Sequence, residues 1–182
     1  VRAAWPLARY GEWAGNRPVV KAGLRNAEWV LSVMRKDGWM PHMNFAVGET
    51  PYSHAVAYTI QGLLELGLLD SRASLVDAAS RMARAMMSLQ RPDGSLPGRV
   101  GEGYVAAAPW SCTSANAQMA LAWYCLAAVD HDPAWKHAAD LAVDFNCSMH
   151  DVKHRDPNRR GGIRSAVPGH RGYCCFKYTN WA

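Results

Sequence analysis

Several things are missing from this chain, and each absence narrows the reading. No apolar run is long enough to span a bilayer, so no membrane helix is expected. The start, VRAAWPLARYGEW, lacks the continuous apolar stretch of a secretory signal, so none is expected. The cysteine count is odd at 5, no Cys-x-x-Cys pair occurs, and two cysteines, Cys174 and Cys175, are adjacent. That is poor material for a disulfide framework, and a reducing cytoplasm is the expected compartment. The glycine-rich stretches lack Walker or dinucleotide spacing. There is no Gly-x-Ser-x-Gly nucleophile elbow and no paired-histidine zincin motif.

What is present suits a single domain spanning residues 1–182. The 182 residues are 49% hydrophobic, enough for a real core, and 8 Met with 8 Trp supply bulky, adaptable filling. The net charge is +5, partly from KHRDPNRRGGIR at 153–164 and from Arg171. Such a run attracts phosphate or an anionic sugar. It carries no recognised nucleic-acid motif, so nucleic acid is not the expected partner.

The chain repeats itself. A shift of 56 residues lays Ser32 on Ser88, Asp37-Gly38 on Asp93-Gly94 and Pro41 on Pro97. Upstream, 21–35 lies over 77–91; both stretches are Ala-rich, apolar at helical spacing and free of internal proline. A third helix of this kind runs over 136–150, and its turn is swollen by DVKHRDPN. A second pair also recurs: 53–69 lies over 111–127 at an offset of 58, each opening on a serine suited to an N-cap. These helices are apolar nearly all round, the mark of burial. The N-terminal LARYGEWAGNRPVV reads as the tail of another such helix, and YCCFKYTNWA as the first turns of one more. The order is therefore outer helix, Asp-Gly turn, long loop, buried inner helix, short link. Asp bonds its own backbone and Gly accepts positive φ, so Asp37 and Asp93 read as turn formers. The fold class is all-α: antiparallel helical-hairpin repeats, about three of them, stacked into an array.

This pattern, with SLQRPDGSLPG at 88–98, resembles the α/α-toroid superfamily of terpenoid cyclases, protein prenyltransferase β subunits, lanthionine cyclases and carbohydrate-active α/α barrels. HAVAYTIQGLLELG, SCTSANAQMALAW and GGIRSAVPGHRGYCCFKYTNWA look more narrowly like prenyltransferase-like toroid proteins of bacterial polysaccharide biosynthesis clusters. The resemblance implies an inner barrel whose helix amino ends border a cavity. It implies a function in binding or modifying a saccharide or a polyprenyl-linked sugar. The Asp-x-Asp-Asp motif of terpenoid cyclases is absent, which disfavours polyprenyl cyclisation. A closed toroid takes more hairpins than this chain holds, so the expected object is a half-toroid, completed as a homodimer or higher assembly.

Candidate site residues follow from the inner-helix starts. The 58-residue offset equates His54 with Cys112, and the last helix brings Cys174 or Cys175 to the matching place. His and Cys are zinc ligands, but the local zinc motifs of lanthionine cyclases and prenyltransferases are missing, so no metal or other cofactor is expected. His54, Tyr58, Gln61 and Glu65 share one helical face. His54 is the candidate acid or base, with Tyr58 beside it and Glu65 as a charge partner. The candidate ligand contacts are Cys112, Asn116 and Gln118 on the next inner helix, and Arg164, His170 and Tyr173 in the glycine-rich loop. Two other classes stay open: a non-catalytic interaction module, or an inactive truncated copy of a larger toroid enzyme.

Overall fold

The computed structural model describes residues 1–169 and 177–178. The described residues form six helices: α1 (Ala4–Trp13), α2 (Arg17–Val33), α3 (Ser53–Leu69), α4 (Ala73–Met87), α5 (Thr113–Asp130) and α6 (Pro133–Ser148). They pair as consecutive hairpins, α1 with α2, α3 with α4 and α5 with α6; α3 also touches α1 and α5. The inner row is thus α1, α3, α5, and the outer row α2, α4, α6. No described helix is long and apolar enough to cross a membrane.

Composition explains which row each helix joins. Ile60, Leu63, Leu66, Met119, Trp123 and Leu126 on α3 and α5 are completely buried. The outer helices α2 and α4 have one apolar stripe each, ending in Val20, Leu24, Ala27 and Val30 on α2 and Leu75, Ala79, Met82 and Met86 on α4. Proline opens α2 and α6 inside a polar cap: Asn16 Oδ1 accepts from Val19 N, and Asp132 Oδ1 from Ala134 N. These caps set helix starts earlier than apolar spacing alone gives. Helix α1 departs from the expected buried tail. Ala8 and Gly11 are buried and Ala4 and Trp5 half-buried against the core, while Leu7, Tyr10 and Trp13 are exposed.

The Asp-Gly turns are duplicated atom for atom. Arg35 N donates to Trp39 O at 2.9 Å, and Arg91 N to Ser95 O at 2.8 Å. Asp37 Oδ1 accepts from Trp39 N at 2.9 Å, and Asp93 Oδ1 from Ser95 N at 3.0 Å. Gly38 and Gly94 sit at φ 81° and 84°. The third turn closes the same way, Asp151 N donating to Gly162 O at 2.9 Å, but around the longer stretch 152–161. Among the described residues, four two-residue strands lie in the loops: β1 (Val100–Gly101) pairs antiparallel with β2 (Val105–Ala106), and β3 (Ser111–Cys112) with β4 (Ala166–Val167).

The expected serine caps are corrected. Ser53 is the first residue of α3, after Tyr52, and its hydroxyl donates to Pro97 O instead of capping its own helix. Ser111 lies in β3, ahead of the Cys112 N-cap of α5.

Candidate functional site

The amino ends of α3 and α5 are built alike. Ser53 N donates to Gly98 O at 3.1 Å and Ser53 Oγ to Pro97 O. Thr113 N donates to Ser165 O at 3.3 Å and Thr113 Oγ1 to Arg164 O at 2.6 Å. Each inner helix is therefore pinned by the exit strand of the next turn. This register matches Ser53 with Thr113, an offset of 60 in place of the expected 58. It pairs His54 with Ser114, Tyr58 with Gln118 and Tyr52 with Cys112.

Two of the expected contacts, Cys112 and Asn116, are buried in the fold. Cys112 is wholly buried, in a small cluster with Ala108, Trp110, Ala115 and Ala166. It serves the fold as the α5 N-cap and as a small hydrophobe. Asn116 is also wholly buried, and both its amide oxygen and its amide nitrogen are hydrogen-bonded within the chain. Its Oδ1 accepts from Leu96 N at 2.9 Å, and its Nδ2 donates to Ser111 Oγ and Cys112 O, both at 2.8 Å. It ties α5 to the second turn, and full burial keeps it from solvent.

His54 and Tyr58 do come together, inside an aromatic cluster. The His54 ring stacks on Tyr52 at 5.3 Å and an 11° interplanar angle, and lies 5.7 Å from both Phe45 and Tyr58. Tyr52 is 6.2 Å from Trp110 and 6.0 Å from Phe45, whose ring is exposed. Two guanidinium groups flank the cluster: Arg99 at 3.9 Å from the Tyr52 centroid, and Arg2 at 3.5 Å from that of Tyr58. Arg99 is held there by Thr50 O and by Glu49 at 3.8 Å. Burial, helped by the Arg2 charge, lowers His54 to about 4. The imidazole is therefore neutral near pH 7, a donor and acceptor of hydrogen bonds and not an acid.

The remaining candidates divide. Gln118 lies one turn along α5 from Ser114, and its buried Oε1 has no hydrogen-bond partner among the described residues. Arg164 stands at the α5 start, its carbonyl bound by Thr113, with Nη2 3.8 Å from Asp151 and a buried Nε unpartnered among the described residues. Glu65 faces Arg9, at 3.7 Å, so it is not the charge partner of His54. His170, Tyr173, Cys174 and Cys175 lie outside the described residues. Among the described residues, no group of three His, Cys, Asp or Glu converges as a metal cage would require. Sequence reasoning missed Phe45, Tyr52, Arg99 and Arg2. The signal available was Tyr-Ser-His at 52–54, aromatic groups two apart at a helix start.

Fold and site together define the class, an α/α-toroid protein with an aromatic cluster at the inner-helix amino ends. No family model and no curated protein matches the chain. Solved structures do. An unsaturated glucuronyl hydrolase from Bacillus sp. GL1, described as responsible for glycosaminoglycan degradation, superposes with a TM-score of 0.67 at 20% identity, over 88% of this chain and 48% of its own. A polysaccharide lyase gives 0.67 at 13% identity, over 89% and 49%. A D-mannose isomerase gives 0.68 at 11%, over 91% and 42%. The chain thus spans about half the length of these neighbours. They establish the toroid fold and are saccharide-processing proteins; they give no support to the prenyltransferase branch of the resemblance.

Proposed function

We propose that this chain binds an anionic saccharide at the amino ends of α3 and α5. The carrying observation is the aromatic cluster in which His54 stacks on Tyr52, Phe45 leans on both and is exposed, and Arg99 is fixed over the Tyr52 ring. Aromatic rings offer a flat apolar surface to the C–H face of a pyranose, and a few convergent polar groups set its orientation. Arg99 and Arg2 supply positive charge to a carboxylate or sulfate. His54, Tyr58, Ser114 and Gln118 supply neutral hydrogen-bonding groups for sugar hydroxyls. The names of the solved neighbours, uronic-acid and polysaccharide enzymes, favour the same ligand class. A sugar carried on a polyprenyl chain would use the same stack for its saccharide part.

If the bound sugar is also modified, His54 and Tyr58 are the groups placed beside it, though the burial that lowers His54 to about 4 makes it a weak base near pH 7. The exposed apolar flanks of the hairpin array favour a second reading, a non-catalytic interaction module.

Titration with oligogalacturonate and with neutral oligogalactan, followed by thermal unfolding, tests the first reading. Acidic oligosaccharide should raise the melting temperature of the wild type. Tyr52→Ala and Arg99→Met should remove that rise while the protein stays folded. No rise with either sugar would sink the saccharide reading and leave the interaction module.

A further inference from the structure

A pocket of about 320 Å³ lies between the loop that leads into α3 and the β1 turn of the following unit. That is the size of a small ligand site. Trp39, His42, Asn44, Glu49, Thr50 and Glu102 line it. Its walls come from two consecutive units, so it is interior to the array and not one of its edges. The His42 backbone is left-handed, at φ 65°, a state that residues other than glycine adopt where the surroundings impose it, often beside ligands.

The pocket and the aromatic cluster meet at Arg99. Its guanidinium lies over the Tyr52 ring, and the same group donates to Thr50 O and pairs with Glu49 at 3.8 Å. Asn44 and Phe45 are neighbours on one loop, the first lining the pocket and the second in the cluster. The two places differ in charge. Two guanidinium groups flank the cluster. Among the described residues, the pocket is lined by two carboxylates and by no lysine or arginine. Each carboxylate has one oxygen in an ion pair, Glu49 Oε2 with Arg99 and Glu102 Oε1 with Arg35. Among the described residues, the other oxygen of each, the His42 ring and the Asn44 amide make no hydrogen bond.

We infer that this pocket is a second subsite, which takes a neutral, hydroxyl-rich sugar unit next to the acidic unit on the cluster. The ligand is then a mixed acidic and neutral oligosaccharide and not a uniform polyuronate. This rests on the saccharide reading above. Hydroxyls donate to the open carboxylate oxygens in charge-assisted bonds, and Asn44 and His42 both donate and accept. Trp39, Pro41 and Pro51 supply apolar surface for the C–H groups of the ring. A second carboxylate or sulfate would be repelled by Glu49 and Glu102.

Calorimetric titration with three kinds of disaccharide tests this: glucuronate linked to galactose in either order, digalacturonate, and galactobiose. The mixed disaccharide should bind the wild type most tightly. Asn44→Ala should weaken it about five-fold, the effect of one lost hydrogen bond, and leave digalacturonate unchanged. Glu102→Gln, at an exposed position, should narrow the preference by tightening digalacturonate. Circular dichroism checks that both variants keep their helices, and Thr50→Val repeats the test should Asn44→Ala lose them. Digalacturonate bound as tightly as the mixed disaccharide, or a preference unmoved by both variants, would overturn the second subsite and leave the saccharide reading standing. Binding of neither acidic disaccharide would overturn both.

Discussion

The turns at 35–39 and 91–95 make the same backbone bonds and the same Asp side-chain bond, yet they live in different surroundings. The second is wedged between neighbours. A Cβ on Gly94 would run into the backbone carbonyl of Leu141 on α6, and one on Gly98 into the Trp110 indole. Gln90 Nε2 donates to Ala138 O, also on α6, at 2.9 Å. The first turn is looser: a Cβ on Gly38 would meet Arg81 and Met82 in ordinary contact, no nearer than 3.6 Å. Its cover comes from the loop of the following unit, where Tyr104 packs edge-on against Trp39 at 5.3 Å and donates to Gly38 O at 3.0 Å. One local code thus writes both turns, and the neighbouring unit decides how much each can tolerate.

The largest expected effect separates the two glycines. Gly94→Ala combines a left-handed backbone with a collision against main chain and should cost about 3 kcal/mol or more. Gly38→Ala has only the backbone penalty, about 1–2 kcal/mol. Urea denaturation of the two variants checks this, and equal losses would break the comparison. Next comes Asn116→Ala, which orphans Leu96 N beneath the second turn. About 2 kcal/mol should be lost, one to three being usual for a buried group left unsatisfied. Tyr104→Phe removes one bond from the first turn and should cost about 1 kcal/mol by the same measurement.

A pH window tests the aromatic cluster and not the turns. His54 ordinarily titrates at 6.5 and is lowered to about 4 in the fold, so protonation favours the unfolded chain. Its contribution is present above pH 6.5 and is lost as pH falls towards 4. His54→Gln should flatten the decline in melting temperature across that window; an unchanged slope would assign the decline to other groups. Asp93, held below its usual value mainly by its hydrogen bonds to Ser95, opposes acid in a lower range. Its contribution is present above the ordinary carboxylate value and fades as pH drops below it.

Much of the architecture was legible because it rests on short-range chemistry. Asp-Gly turns, Ala-rich outer stripes and all-apolar inner helices are written in residues a few positions apart, and α3 fell on 53–69 as expected. The site was legible only in part. His54, Tyr58 and Gln118 lie on helix faces that periodicity reveals. Phe45, Tyr52 and Arg99 sit in loops, whose paths depend on distant partners. The register error has the same origin. The stretches 40–52 and 96–112 differ in length and shape, so aligning serines set the two inner helices two residues out of step. Asn116 read as a cavity group because a polar side chain on a buried helix must find a partner. That partner, Leu96 N, lies 20 residues away, beyond any helical spacing.

The pinning of Ser53 by Pro97 and Gly98, and of Thr113 by Arg164 and Ser165, runs one way along the chain. Both α3 and α5 are latched at their amino ends by the turn that follows them in the chain. Shortening the protein from its carboxyl end therefore unlatches α5 as soon as the third turn goes, whereas trimming α1 and α2 leaves every latch shut. The array has a direction of assembly, and a nascent chain would complete each inner helix only after the following turn had emerged.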